Sequence, residues 1–157
     1  MLDFMIPGWG KLVISNLILD FNGTIAVDGR MIEGVAERLW AIRKQGVDIY
    51  IITADTNGTV EAECQGLPVK VMVYDKETVS NDKCSLVMKL GASRTASIGN
   101  GRNDGAMFSA SALSVAVIGG EGAFLPSVMK SDILVTNILD GLELFLKGHR
   151  LKATLRG

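Results

Sequence analysis

Four polar residues stand along this sequence in an order that could carry phosphoryl chemistry: Asp20, Thr53, Lys83 and Asp104. A carboxylate can attack phosphorus, hold a metal ion, or do both. A hydroxyl and an ammonium can neutralise non-bridging phosphate oxygens. A second carboxylate can complete a hard, oxygen-liganded Mg²⁺ site. Glycines at 23, 99 and 101 let backbone N–H groups turn toward an anion. Taken singly, each group has a plainer reading. Asp20 could be a turn or cap residue, Thr53 a helix cap, Lys83 a solvated charge, and Gly99 to Gly101 a turn. Their shared placement separates them from accident, because each follows an apolar run of strand length.

Those runs alternate with helical patterns. Leu12 to Leu19 is rich in Val, Ile and Leu and ends on Asp20, the signature of a fully buried strand. Ile32 to Lys44 places Ile32, Val35, Leu39 and Ile42 at helical spacing with Glu37, Arg38, Arg43 and Lys44 outside, and Gln45-Gly46 stops the helix. Val47 to Ile52 is a second strand, ending at Thr53-Ala54-Asp55, followed by a short helix from Thr59 to Cys64. Val69 to Tyr74 reads as a third strand and Lys83 to Leu90 as a helix closed by Gly91. Thr95 to Ile98 is a fourth strand running into Gly99-Asn100-Gly101, and Asp104 to Ala110 is helical. Leu113 to Ile118 and Ile133 to Thr136 complete six strands, before a last helix from Leu139 to Lys147. Such alternation calls for a parallel sheet covered on both faces, a doubly wound, Rossmann-like α/β fold. One domain is expected over residues 1–157. Ligands of such sheets sit beyond the carboxyl ends of the strands, where the four groups stand.

Composition narrows the function classes. Hydrophobic residues make up 48% and charged residues 21% of 157, which suits a packed core. Sixteen basic against 17 acidic residues, net −1, argue against nucleic acid or an anionic membrane as the main partner. The longest apolar runs are strand-length, and Met1 to Gly10 lacks a signal-peptide pattern, so a cytoplasmic protein is expected. Cys64 and Cys84 read as free thiols in a reducing compartment. Asp28-Gly29 reads as the tip of a hairpin, with Asp28 a turn residue. Asp55 either caps the next helix or lines the site. His149, among Arg150, Lys152 and Arg156, reads as part of a basic solvated tail favourable to a helix C-terminus. Trp9 and Trp40 are expected as core or interface anchors.

The stretch Asp20-Phe21-Asn22-Gly23-Thr24 resembles the first motif of the haloacid dehalogenase (HAD) phosphotransferase superfamily, Asp-x-Asp-x-Thr/Val. Thr53 matches the second motif, Lys83 the third, and Gly99-Asn100-Gly101-Arg102-Asn103-Asp104 the acidic fourth. Within that superfamily the chain is most similar to P-type ATPases and their small soluble relatives. Their Thr-Gly-Asp resembles Thr53-Ala54-Asp55, their Gly-Asp-Gly-x-Asn-Asp resembles residues 99–104, and Val115 to Val135, with Gly120-Glu121-Gly122-Ala123 and Ser131-Asp132, follows their closing segment. The resemblance covers nearly the whole chain and implies a HAD-like fold. Only residues 25 to 52 separate the first two motifs, room for a flap and one helix, so no cap domain and no nucleotide-binding insertion is expected, and ion pumping is excluded. The resemblance further implies Asp20 as nucleophile, with Thr53 and Lys83 binding phosphate alongside Gly23, Ala54 and Asn103. It implies Mg²⁺ held by Asp20, the Asn22 carbonyl, Asn100 and Asp104, and a small phosphorylated substrate.

Two positions depart from that pattern. Asn22 stands where HAD phosphatases carry the carboxylate that protonates the leaving group and then activates water. An amide cannot exchange protons in that way, and losing such help typically costs about 10²- to 10⁴-fold. Asn100 stands where a metal-binding Asp is usual, which leaves Asp104 as the expected acidic partner of Asp20 and weakens Mg²⁺. A slow phosphatase passing through phospho-Asp20 is the leading expectation, favouring aryl or acyl phosphates. A degenerate domain acting as a phosphate-responsive regulatory module is the alternative. A receiver domain also uses Asp, Thr, Lys and Mg²⁺, and Asp75 does follow the third strand, but Asn22 and the 99–104 loop fit the HAD pattern better. The open site of a cap-less protein further suggests a homo-oligomer in which a neighbour covers it.

Overall fold

A computed structural model of the protein describes residues 1–54 and 58–157. The chain begins with an antiparallel hairpin, β1 (Leu2–Ile6) and β2 (Gly10–Ile14), whose alternating Leu2, Phe4 and Ile6 turn inward. At Ser15 the chain changes direction into β3 (Asn16–Asp20), where every residue is buried. The apolar run expected as one strand from Leu12 to Leu19 is therefore two. Both halves are apolar, so composition hides the break; the alternation of β1 and β2 is what reveals a one-sided ribbon.

After β3 comes a flap of two short strands, β4 (Ala26–Val27) and β5 (Arg30–Met31). Its turn residues Asp28 and Gly29 have φ of 52° and 75°, the left-handed pair that a tight hairpin requires. The main sheet then builds through β6 (Asp48–Thr53), β7 (Val69–Val73), β8 (Thr95–Gly99), β9 (Leu113–Val117) and β10 (Ile133–Val135). All six strands are parallel, in the order β10-β9-β8-β3-β6-β7. The winding goes outward from β3 to β6 and β7, then returns to β8 on the other side. The switch point thus lies between β3 and β8, and the crevice beyond their carboxyl ends is the favoured ligand position of such sheets.

Helices α1 (Val35–Lys44), α2 (Thr59–Glu63), α3 (Val79–Leu90), α4 (Gly105–Ala110), α5 (Leu125–Val128), α6 (Ile138–Leu146) and α7 (Gly148–Leu155) connect and cover the strands. Strand side chains alternate between faces, and β3 shows the consequence. Leu17 and Leu19 join a core with Val35, Leu39, Ile42, Leu142 and Phe145, whereas Ile18 joins another with Val79, Leu86, Val87, Met107 and Phe108. A strand covered on both faces has no polar side to show, hence its unbroken apolar run.

Several boundaries differ from expectation. Helix α1 begins at Val35, after Gly34 at φ 87°, and not at Ile32. Helix α3 begins at Val79, so Lys83 lies in its second turn and not at a strand end. The basic side chains His149, Arg150, Lys152 and Arg156 are exposed, as expected, but the segment forms a helix of its own, α7, which buries Leu151. Trp9 and Trp40 are 44% and 46% exposed, so neither anchors the core. Among the described residues, no helix is long and apolar enough to cross a membrane.

Candidate active site

Strand β3 carries Asp20 to the switch point. The turn that follows is wound round one carbonyl: Phe21 O accepts hydrogen bonds from the backbone N–H groups of Thr24, Ile25 and Ala26 at 3.2, 3.1 and 3.0 Å. The Phe21 ring is fully buried beneath it. Gly23 sits in this turn at φ 79°, and a Cβ there would run into the Asn100 amide, so glycine is required twice over.

Lys83 reaches the same point from α3 and is fully buried. Its Nζ donates to Asp20 Oδ1 at 2.6 Å, Asp104 Oδ1 at 2.6 Å and Asn103 Oδ1 at 3.1 Å. An ammonium has three protons to place, and here all three have acceptors. Asp104, also fully buried, uses Oδ2 to accept from the N–H groups of Asn100 (2.9 Å) and Gly101 (2.8 Å). One carboxylate thus both folds the loop after β8 and holds the lysine.

This placement revises two expectations. The Lys83 ammonium lies behind Asp20 and outside the cavity lining, where a direct phosphate clamp had been expected. Asp104 is turned inward in the same way, both oxygens committed to Lys83 and the loop amides rather than to the cavity. Asn100 does line the cavity, as do Arg102 and Asn103 of the same motif; its Oδ1 accepts from Thr24 Oγ1 at 3.1 Å and its Nδ2 donates to Gly122 O at 3.0 Å.

The charge balance within the trio is strained. Burial first, then repulsion from Asp104, pushes the Asp20 carboxyl up to about 7 from 3.8, against the opposing pull of Lys83. Burial draws Lys83 down, but Asp20 and Asp104 outweigh it and its pKa is raised. Two carboxylates therefore share a single cation. The second oxygen of Asp20 accepts a long bond from Thr24, at 3.4 Å.

A cavity of about 1020 Å³ opens over Asp20, with Asn22, Thr53, Ala54, Asn100 and Asn103 in its walls. Asp28 of the flap, Lys76 and Arg102 line it farther out. Thr53 ends β6 and is buried; Asp55 lies outside the described residues. Among the described residues no three His, Cys, Asp or Glu side chains cluster as a metal cage. Among the described residues, a cation beside Asp20 would meet neutral oxygens of Asn22 and Asn100, with Asp28 and Glu77 the other carboxylates in the cavity wall. Thr24, Lys76 and Arg102 were not singled out for the site in the sequence. Thr24 lies within the first motif and Arg102 within the fourth, whereas nothing local marks Lys76.

No family model matches the sequence. Two uncharacterised proteins of Methanocaldococcus jannaschii align with parts of it. MJ0073 is 48% identical over 59 residues, 38% of this chain and 63% of its own length, so the chain spans less than two thirds of that relative. MJ0072 is 56% identical over 41 residues, 26% of this chain and 91% of its own length, so this chain belongs to the same family as MJ0072. Solved structures are more informative about architecture. A protein of Streptomyces avermitilis MA-4680 assigned to the HAD family of hydrolases superimposes with a TM-score of 0.69 at 21% identity, covering 88% of this chain and 87% of that one. The 3-deoxy-D-manno-octulosonate 8-phosphate phosphatase of Moraxella catarrhalis, in complex with magnesium and phosphate ions, gives 0.71 at 19% identity over 91% and 94%. The chain has the HAD-superfamily fold. A zinc-transporting PIB-type ATPase matches at TM-score 0.63 and 25% identity over 79% of this chain but only 20% of its own. Within the HAD fold, Asp20 ends the central strand, and the loop carrying Asn100 to Asp104 ends the strand beside it.

Proposed function

We propose that the chain is a Mg²⁺-dependent phosphohydrolase or phosphotransferase acting through a phosphoaspartate at Asp20 on a small phosphorylated substrate. The observation that carries this reading is the buried Lys83 held between Asp20 and Asp104. Burying ions costs several kcal/mol each, and packing alone gives no reason to keep this arrangement. It does fix the Asp20 carboxylate, with one oxygen tied and the other toward the cavity.

The donor set fits a hard cation. Asp20 lies in a cavity with oxygen donors in its walls and shares the one Lys83 ammonium with Asp104. Asp20, the Asn22 carbonyl and Asn100 would hold Mg²⁺, which keeps several waters in such sites. Bound there, Mg²⁺ would supply Lewis-acid stabilisation of phosphoryl charge. Thr53 and the N–H groups near Gly23 and Ala54 would orient the phosphoryl group, with Asn103 alongside. Asp20 attacks: its oxygen forms the bond to phosphorus as the bond to the leaving oxygen breaks, and that oxygen departs with the electron pair. Asn22 has no proton to give it. Groups stable as anions, such as aryl oxides and carboxylates, therefore leave most readily. Lys83 and Asp104 act as positioning residues behind the nucleophile.

The magnesium- and phosphate-bound phosphatase among the structural neighbours supports both the metal and the substrate class. Cytoplasmic location and a homo-oligomer covering the open cavity belong to the same reading. Asn22 and Asn100 favour a second reading, a regulatory module that binds phosphate without turnover. Assays of acetyl phosphate and an aryl phosphate with Mg²⁺ separate the two. Wild type should hydrolyse both and Asp20→Asn neither. Inactivity of a folded wild type, persisting in Asn22→Asp/Asn100→Asp, would favour the module.

A further inference from the structure

Glu121 stands between two glycines in the loop joining β9 to α5. Its Oε1 accepts a hydrogen bond from the Asp28 N–H of the flap at 3.2 Å. Its Oε2 faces the first-motif turn: a Cβ at position 23 would lie 2.8 Å from it, on a spot also contested by the Asn100 amide. Glu121 and Asn100 are therefore neighbours across Gly23. The loop is fastened to residue 100 as well, since Asn100 Nδ2 donates to Gly122 O at 3.0 Å and Phe124 N–H to Asn100 O at 2.8 Å. Asn100 itself is neutral, Asp104 is committed to Lys83, and Lys83 offsets the charge of Asp20. The loop after β8 thus offers the cavity no free carboxylate of its own, and Glu121 stands beside it, with Asp28 of the flap the nearest acidic residue in the cavity wall.

We propose that Glu121 supplies, from just outside the cavity, the negative charge that Asn100 lacks, and thereby strengthens divalent-cation binding at Asp20. The inference rests on the metal reading above. A unit charge about 7 Å from a divalent ion in water changes its affinity several-fold. Glu121 is exposed, so salt screens its effect; the Debye length falls from about 10 Å at 0.1 M to about 3 Å at 1 M.

Glu121→Gln is the informative variant, because an amide oxygen still accepts the Asp28 N–H while the charge is gone. Calorimetric titration of Mg²⁺ into wild type, Glu121→Gln, Asn100→Asp and the double variant, at low and high salt, tests the inference. At low salt Glu121→Gln should bind roughly three- to tenfold more weakly, and the deficit should shrink toward nothing near 1 M salt. Asn100→Asp should gain more affinity in the Glu121→Gln background than in wild type. An unchanged affinity in Glu121→Gln, or an equal loss at both salt concentrations, overturns the proposal; the latter marks Glu121 as a flap latch only. If wild type itself binds no Mg²⁺, the metal reading falls and this inference with it. Binding by wild type with no effect of Glu121 removes the inference alone.

Discussion

Replacing Lys83 by methionine should destabilise the fold strongly, and more so at high pH than at low. The side chain is buried with its ammonium 2.6 Å from both Asp20 and Asp104, and methionine fills much the same space without charge. Removing one partner of a buried ion pair typically costs about 3–5 kcal/mol. For a domain of this size each kcal/mol shifts Tm by about 2–4 °C, so a fall of roughly 6–20 °C is expected at pH 8. The sign of the pH effect follows from Asp20. Burial and Asp104 already push its carboxyl up to about 7, and loss of Lys83 removes an opposing influence, so the variant's value lies higher still. A raised folded pKa gives stability that is fully present below the unfolded value, 3.8 for Asp20, and is lost as pH rises through the folded value. At pH 5 a protonated Asp20 therefore relieves most of the repulsion. Urea unfolding of both proteins at pH 5 and pH 8 measures the difference. Equal destabilisation at the two pH values, or none at pH 8, would refute the reasoning. Adding Asp20→Asn to Lys83→Met should restore part of the loss at pH 8, because one of the two opposed charges is gone.

The same carboxyl makes metal binding pH-dependent. A proton competes with Mg²⁺ for a group titrating at about 7, so the apparent affinity should be about tenfold weaker at pH 6 than at pH 8. Calorimetry that finds no change between these pH values contradicts Asp20 as the charged ligand. Asn22→Asp restores a transferable proton at the cavity wall and should raise turnover of alkyl phosphate esters by about 10²- to 10⁴-fold. Acyl phosphates, whose leaving group needs no proton, should respond far less, and a uniform gain across both classes would point away from leaving-group protonation.

The parts of the fold legible in the sequence were those with a local cause. A strand buried on both faces must be apolar throughout, which marked β3, β6, β8 and β9. Asp28-Gly29 marked the flap because a tight hairpin needs residues that tolerate positive φ. Asp20 and Thr53 were legible as polar residues ending such strands, and the structure brings both to one cavity. What failed had distant causes. Lys83 follows Ser80, Asn81 and Asp82, a polar stretch that conceals the first turn of α3; contacts with Asp20, 63 residues away, and Asp104, 21 residues away, explain its burial. The direction of the Asp104 carboxylate is set by the N–H groups of residues 100 and 101, a backbone property that residue types do not display. Helix α7 was obscured by Gly148, which reads as a stop; the Phe4 ring occupies the space where a Cβ would stand. Glu121 meets Asp28 across 93 residues, with nothing local to announce it.

The central claim is that Asp20 accepts a phosphoryl group. Peptide mass spectrometry after brief incubation with acetyl phosphate and Mg²⁺, followed by acid quenching, tests it most directly. A phosphoryl adduct is expected on the peptide containing Asp20, absent without Mg²⁺ and absent in Asp20→Asn. An unmodified Asp20 in folded, Mg²⁺-loaded protein, or an adduct that persists in Asp20→Asn, would contradict it.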